Sequence, residues 1–86
     1  MDTPTRILIA DDHPIFREGL EKTIERDKAF SVVGQAGDGA EALKLITELR
    51  PDLAVVYVSM PIMDGLEVAR RVHQDALPTE LIFLTM

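Results

Sequence analysis

Six consecutive residues, Leu53 to Val58, are apolar or aromatic without a break. So short a run reads as a strand buried on both faces, the kind found in parallel sheets. Pro61 stops any ladder because it has no N–H to donate, and Met63-Asp64-Gly65 makes a turn and starts a helix. Upstream, Arg6-Ile7-Leu8-Ile9-Ala10 reads as a buried strand with two carboxylates, Asp11 and Asp12, at its C-terminal end. Pro14 suits the first turn of a helix. Ile15, Phe16, Leu20 and Ile24 then form a helical stripe, with Arg17, Glu18, Glu21 and Glu25 largely on other faces. Phe30 to Gly34 is a second strand by its flanks. Asp38 with Glu41 forms a capping box ahead of a helix carrying Ala42, Leu43, Leu45, Ile46 and Leu49, which Arg50-Pro51 ends. After the central strand, Gly65 to Gln74 is a third helix with Leu66, Val68, Ala69 and Val72 as its apolar positions. Leu77-Pro78 breaks it, and Glu80 to Met86 reads as a fourth strand.

The pattern is βαβαβαβ with short connections and no repeat or linker. Strands alternating with helices mean a parallel sheet with right-handed crossovers, and four strands favour an open doubly wound sheet over a barrel. Sites in such sheets form beyond the C-terminal strand ends, where the winding reverses. With the first strand central, the second on one side and the third on the other, the reversal lies between strands one and three. The residues placed there are Asp11, Asp12, Tyr57 and Ser59, and Thr85 ends the neighbouring strand.

Length and charge narrow the classes. Eighty-six residues make one small domain, and 47% hydrophobic with 28% charged residues is an ordinary globular balance. A net charge of −6 argues against a nucleic-acid-binding surface or attraction to anionic membranes. The absence of cysteine excludes disulfides and thiolate zinc sites. No apolar run approaches the roughly 20 residues of a membrane span, and Met1 to Arg6 lacks the regions of a signal peptide. A cytoplasmic location is the expectation.

Adjacent carboxylates repel unless a cation or a basic partner sits between them. Asp11-Asp12 therefore suits Mg²⁺, which takes one or two carboxylates and keeps several waters. The plainer alternative is that Asp12 caps the helix after it. Gly37-Asp38-Gly39-Ala40-Glu41-Ala42 fits a permissive dinucleotide fingerprint, but it follows the second strand and no ribose-binding acid ends the next one, so a turn plus helix cap is the better reading. His13 and His73 do not form a metal pair. His73 belongs to a solvated helix face, and His13 either orients near Asp12 or simply starts the helix. Ser59 has no Gly-x-Ser-x-Gly elbow around it and is not a hydrolytic nucleophile.

The stretches Asp11-Asp12-His13-Pro14-Ile15-Phe16-Arg17-Glu18-Gly19-Leu20, Gly37 to Ala42, Pro51-Asp52-Leu53 and Met60-Pro61-Ile62-Met63-Asp64-Gly65 together resemble the receiver domain of bacterial two-component response regulators. The first looks most like the subclass whose C-terminal half is a LuxR-type helix-turn-helix. The resemblance covers nearly all of residues 1–86. It implies a flavodoxin-like doubly wound parallel sheet of order 2-1-3-4, and a switch that takes a phosphoryl group from a histidine kinase. It matches the acidic pair to Asp11 and Asp12, the Mg²⁺-binding backbone carbonyl to Ser59, the switch hydroxyl to Thr85, and the recognition turn to Met60, Pro61, Met63, Asp64 and Gly65.

Two departures follow from the same resemblance. The phospho-accepting aspartate of the family falls on Tyr57, and the chain lacks the family's last helix, lysine-bearing strand and helix, as well as any DNA-binding domain. A carboxylate attacks phosphorus as an anion, whereas a tyrosine hydroxyl is ordinarily neutral near pH 7 and needs a base. The expectation is a non-enzymatic, phosphorylation-independent interaction module from a transcriptional regulator, holding Mg²⁺ weakly. The alternative is a phosphoprotein still switched at or near Tyr57. With no fifth strand beside it, Leu81-Ile82-Phe83-Leu84 is expected to self-associate along its open edge.

Overall fold

The computed structural model describes residues 3–85; Met86, the last residue of the expected fourth strand, lies outside them. The elements run β1 (Thr5–Ala10), α1 (Pro14–Glu25), β2 (Phe30–Ala36), α2 (Gly39–Leu49), β3 (Leu53–Tyr57), α3 (Gly65–Gln74) and β4 (Glu80–Leu84). All four strands are parallel, in the order β2-β1-β3-β4. The winding therefore reverses between β1 and β3, as the sequence pattern requires.

The largest core cluster lies on one face of this sheet, while Ile7 and Ile9 are buried on the other. Leu8, Ala10, Ala54 and Val56 from the strands meet Ala42 and Ile46 of α2 and Val68 and Val72 of α3. α2 and α3 each start on an aspartate that removes an orphan N–H. Asp38 accepts from Glu41 N at 2.8 Å, and Asp64 accepts from Glu67 N at 2.8 Å. Glu41 reaches back to the Gly37 N–H at 2.7 Å, so the capping box forms. On the surface of α3, hydrogen bonds from Arg70 chiefly, and then Arg71, hold the Glu67 carboxyl well below its usual range, at about 2.

Two expectations about burial are corrected. β3 is not buried on both faces: Ala54 and Val56 are buried, while Leu53, Val55 and Tyr57 are half-buried. The cause is the uneven helix layer. α2 and α3 share the core face, and α1 on the other face lies over β1 and β2, so the α1 side of β3 and β4 is open. The α1 stripe also divides. Leu20 and Ile24 are half-buried, whereas Ile15 is 86% and Phe16 46% exposed, and no residue of α1 is fully buried. β3 also ends one residue early, at Tyr57. Val58 still donates to Leu84 O at 3.0 Å and accepts from Gly65 N at 2.8 Å, which ties the end of β3 to β4 and to the start of α3.

Candidate functional site

Asp11 leaves β1 still hydrogen-bonded to the sheet, its N–H donating to Ala36 O at 3.0 Å, and it is 1% exposed. Arg17 fixes it from behind. The guanidinium Nη1 donates to the Asp11 carbonyl at 2.6 Å, and Nε donates to Gln35 Oε1 at 3.3 Å. Sequence reasoning placed Arg17 on an outer face of α1 and missed this role. Its signal was position alone, in the first turn of a helix that starts beside a strand end.

His13 folds back over Asp11. Its backbone N–H and its Nδ1 both donate to Asp11 Oδ1, each at 2.7 Å. The N-cap position of α1 belongs to His13 and carries no side-chain cap, so Asp12 is not the helix cap that the plainer reading made it. Asp12 instead turns its Oδ1 toward His13 Nδ1, at 3.1 Å. The single Nδ1 hydrogen is directed at Asp11, and Asp12 Oδ1 is left buried without a hydrogen bond. An ionised oxygen in that state is stabilised by a cation or by a further hydrogen-bond donor.

Tyr57 ends β3 beside this pair, its ring edge-on to the His13 ring at 5.9 Å between centroids and 72° between planes. Asp11, His13, Tyr57 and Thr85 line one cleft of about 560 Å³, walled by Ile15, Phe16 and Leu84. The structure thus gathers four groups at the reversal point, three of which the topology placed there. Ser59 lies beyond the strand end, exposed, and is not among the residues lining the cleft.

The turn after β3 is organised by close approach. Met60 is buried in the core cluster. A Cβ at Gly65 would stand 2.7 Å from Tyr57 O, and one at Gly39 would stand 1.8 Å from Met63 O. The glycines of 37–42 thus serve the cap and the packing of α2 on this loop. Met63 N donates to Pro61 O at 2.7 Å across Ile62, whose φ is +70°. This is a γ-turn of the strained hand, and a β-branched side chain at such a φ costs roughly 1–2 kcal/mol. Ile62 is 82% exposed, so its side chain repays little of that. Ile62→Gly should raise the melting temperature by roughly 2–8 °C, for a gain of about 0.5–1 kcal/mol. Scanning calorimetry checks this, and an unchanged or lower midpoint would refute the strain.

A parallel sheet wound both ways from β1, with a carboxylate pair, Tyr57 and Thr85 at the reversal, is the arrangement of a receiver-type α/β domain. Residues 7–86 match the response regulator receiver domain, and the chain belongs to that family. It is 42% identical over 80 residues to the probable transcriptional regulatory protein NarL of Mycobacterium tuberculosis, covering 93% of this chain and 37% of that protein. A protein-glutamate methylesterase/protein-glutamine glutaminase of Myxococcus xanthus is 43% identical over 82 residues, 95% of this chain and 23% of that protein. The solved receiver domain of the M. tuberculosis NarL superposes with a TM-score of 0.95 at 40% identity, covering 98% of this chain and 68% of that one. The chain spans well under half the length of these curated relatives.

Proposed function

We propose that this receiver domain works by binding partners, without acyl-phosphate chemistry at position 57. The observation that carries this is Tyr57 at the end of β3, its ring packed edge-on to His13 in the cleft where a phosphoryl group would have to enter. A phenol in this place supplies neither the anionic nucleophile nor the short side chain of an aspartate. The partner suggested by resemblance is a histidine kinase, and the parent protein a transcriptional regulator. No helix of the described residues is long and apolar enough to cross a membrane, and the acidic charge of this chain does not suit nucleic acid. The similarity to transcriptional regulators supports a non-catalytic role in the cytoplasm.

The donor set fits a hard divalent cation. Asp11 and Asp12 would hold Mg²⁺, with the Ser59 carbonyl as the third protein ligand, and the buried, unpartnered Asp12 Oδ1 supports that assignment. The ion would supply charge neutralisation at the strand end. Asp11 would orient the pair through its tie to Arg17, and Thr85 would present its hydroxyl at the cleft mouth.

Incubation with a small acyl-phosphate donor and Mg²⁺, read by intact mass, should leave the chain unmodified. Incorporation of one phosphoryl group mapped to Tyr57 would overturn the reading in favour of a phosphoprotein switched at that residue.

A further inference from the structure

We infer that His13 is a metal ligand, and that with Asp11 and Asp12 it makes an oxygen–oxygen–nitrogen site that prefers nitrogen-accepting divalent ions of the first transition row over Mg²⁺. The inference rests on the reading of Asp11 and Asp12 as the cation site and adds His13 to it.

Three observations carry it. First, one ligand atom from each of the three residues lies within 4.8 Å of the other two. Second, His13 Nδ1 stands 2.7 Å from Asp11 Oδ1 and 3.1 Å from Asp12 Oδ1. Metal–ligand bonds of about 2.1 Å at right angles put neighbouring ligand atoms about 3 Å apart, so the nitrogen already occupies a ligand position relative to both oxygens. Third, Asp12 Oδ1 is buried and has no hydrogen-bond partner, although Nδ1 is so near. The imidazole satisfies Asp11 alone. A cation between the three atoms would satisfy both carboxylates.

The side chain has the freedom to do this. His13 is 54% exposed and caps nothing. Coordination moves the ring hydrogen from Nδ1 to Nε2, so the imidazole stays neutral and no other group need be supplied. Asp11 Oδ1 keeps the His13 backbone N–H as its second partner, the kind of outer hydrogen bond that fixes a ligating carboxylate. Tyr57 brings no carboxylate to this end of the sheet, so a nitrogen completes the set. Mg²⁺ favours all-oxygen shells, whereas Mn²⁺, Co²⁺ and Zn²⁺ accept imidazole, with affinity rising along the row.

The test is titration of the whole chain with Co²⁺ and with Mg²⁺, by calorimetry and by the visible absorption of bound Co²⁺. Co²⁺ should bind at one site more tightly than Mg²⁺. His13→Ala should weaken Co²⁺ by about tenfold or more, change its spectrum, and leave Mg²⁺ within about twofold to threefold. His73→Ala removes the only other imidazole and should change neither. Asp12→Asn should weaken both metals. Unchanged Co²⁺ affinity and spectrum in His13→Ala, with Mg²⁺ still bound, would overturn the His13 inference and leave the carboxylate site standing. Tighter Mg²⁺ in His13→Ala would also overturn it, by showing that the imidazole merely blocks the site. Failure of the wild type to bind either ion would overturn both.

Discussion

Gly39→Ala should come close to unfolding the domain. A methyl group there would stand 1.8 Å from the Met63 carbonyl oxygen and 2.8 Å from the Met63 Cβ. Relief requires moving backbone, either α2 away from the loop or the loop away from α2. The loop is held on both sides: Met63 N is bonded to Pro61 O, and Gly65 N to Val58 O. α2 is held by Ala42 and Ile46, both fully buried. The cost should be about 3 kcal/mol or more, at the upper end for overpacking. A domain of this size has only roughly 5–10 kcal/mol in total, so the melting temperature should fall by roughly 12–24 °C. Gly19→Ala is the internal comparison. It lies within α1 with nothing inside 4 Å of a built Cβ, and it should stabilise by about 0.5–1 kcal/mol. Thermal and urea unfolding of the two variants would read both signs. A Gly39→Ala domain within 1 kcal/mol of wild type would show that the loop yields freely.

The comparison of these glycines shows where local sequence stops being informative. Gly39 looked like a turn residue because it follows Asp38 and precedes a helix, and the cap did form. Its second constraint comes from Met63, 24 positions away, and no local pattern announces it. The order of elements was legible because hydrophobic period and breakers are local: each strand run, the Asp38 cap and each proline stop fell within a few residues of its expected place. Burial was less legible. Leu53 to Val58 and the stripe from Ile15 to Ile24 read as buried on both faces and on one face respectively, yet what covers them depends on the lateral position of α1, which packs over β1 and β2 and leaves β3 half-covered on that side. The site divides in the same way. Asp11, Asp12 and Tyr57 could be placed by topology because side chains after parallel strands gather at the reversal. The turn of His13 onto Asp11, the tie from Arg17 to the Asp11 carbonyl and the orphaned Asp12 Oδ1 are matters of rotamer and angle, which residue type and spacing leave open.

The 86-residue chain should dimerise through β4, and Ile82→Lys should return it to a monomer. The two edges of the sheet differ. On β2 the register skips Val33, since Ile7 pairs with Val32 and Leu8 with Gly34, and Glu25 Oε2 takes the outward Val32 N–H at 3.0 Å. A bulge and a carboxylate on an edge both hinder addition of another strand. β4 has no such guard: Leu81 to Leu84 contains no proline or charge, its register against β3 is unbroken, and Ile82 and Phe83 are 47% and 41% exposed. Glu80 N donates to Asp52 O at 3.1 Å and Leu84 O accepts from Val58 N at 3.0 Å. Residues 80, 82 and 84 therefore spend their backbone groups on β3, and the alternation of the ladder turns those of Leu81 and Phe83 outward. Antiparallel pairing about a two-fold axis at Ile82 sets Leu81 opposite the partner's Phe83 and completes about four hydrogen bonds. The same register sets Glu80 opposite the partner's Leu84, which keeps the two carboxylates apart, and brings the two Ile82 side chains together at the axis. Lysine there would place like charges in the closest cross-strand position. Sedimentation at roughly tens of micromolar should show a dimer for the wild type and a monomer for Ile82→Lys, with association weakened about 100-fold or more, as expected for a like-charge pair worth several kcal/mol. Phe83→Lys, with its side chain away from the axis, should fall between. A folded monomer in all three cases would show that the β4 edge is closed by something other than a second copy.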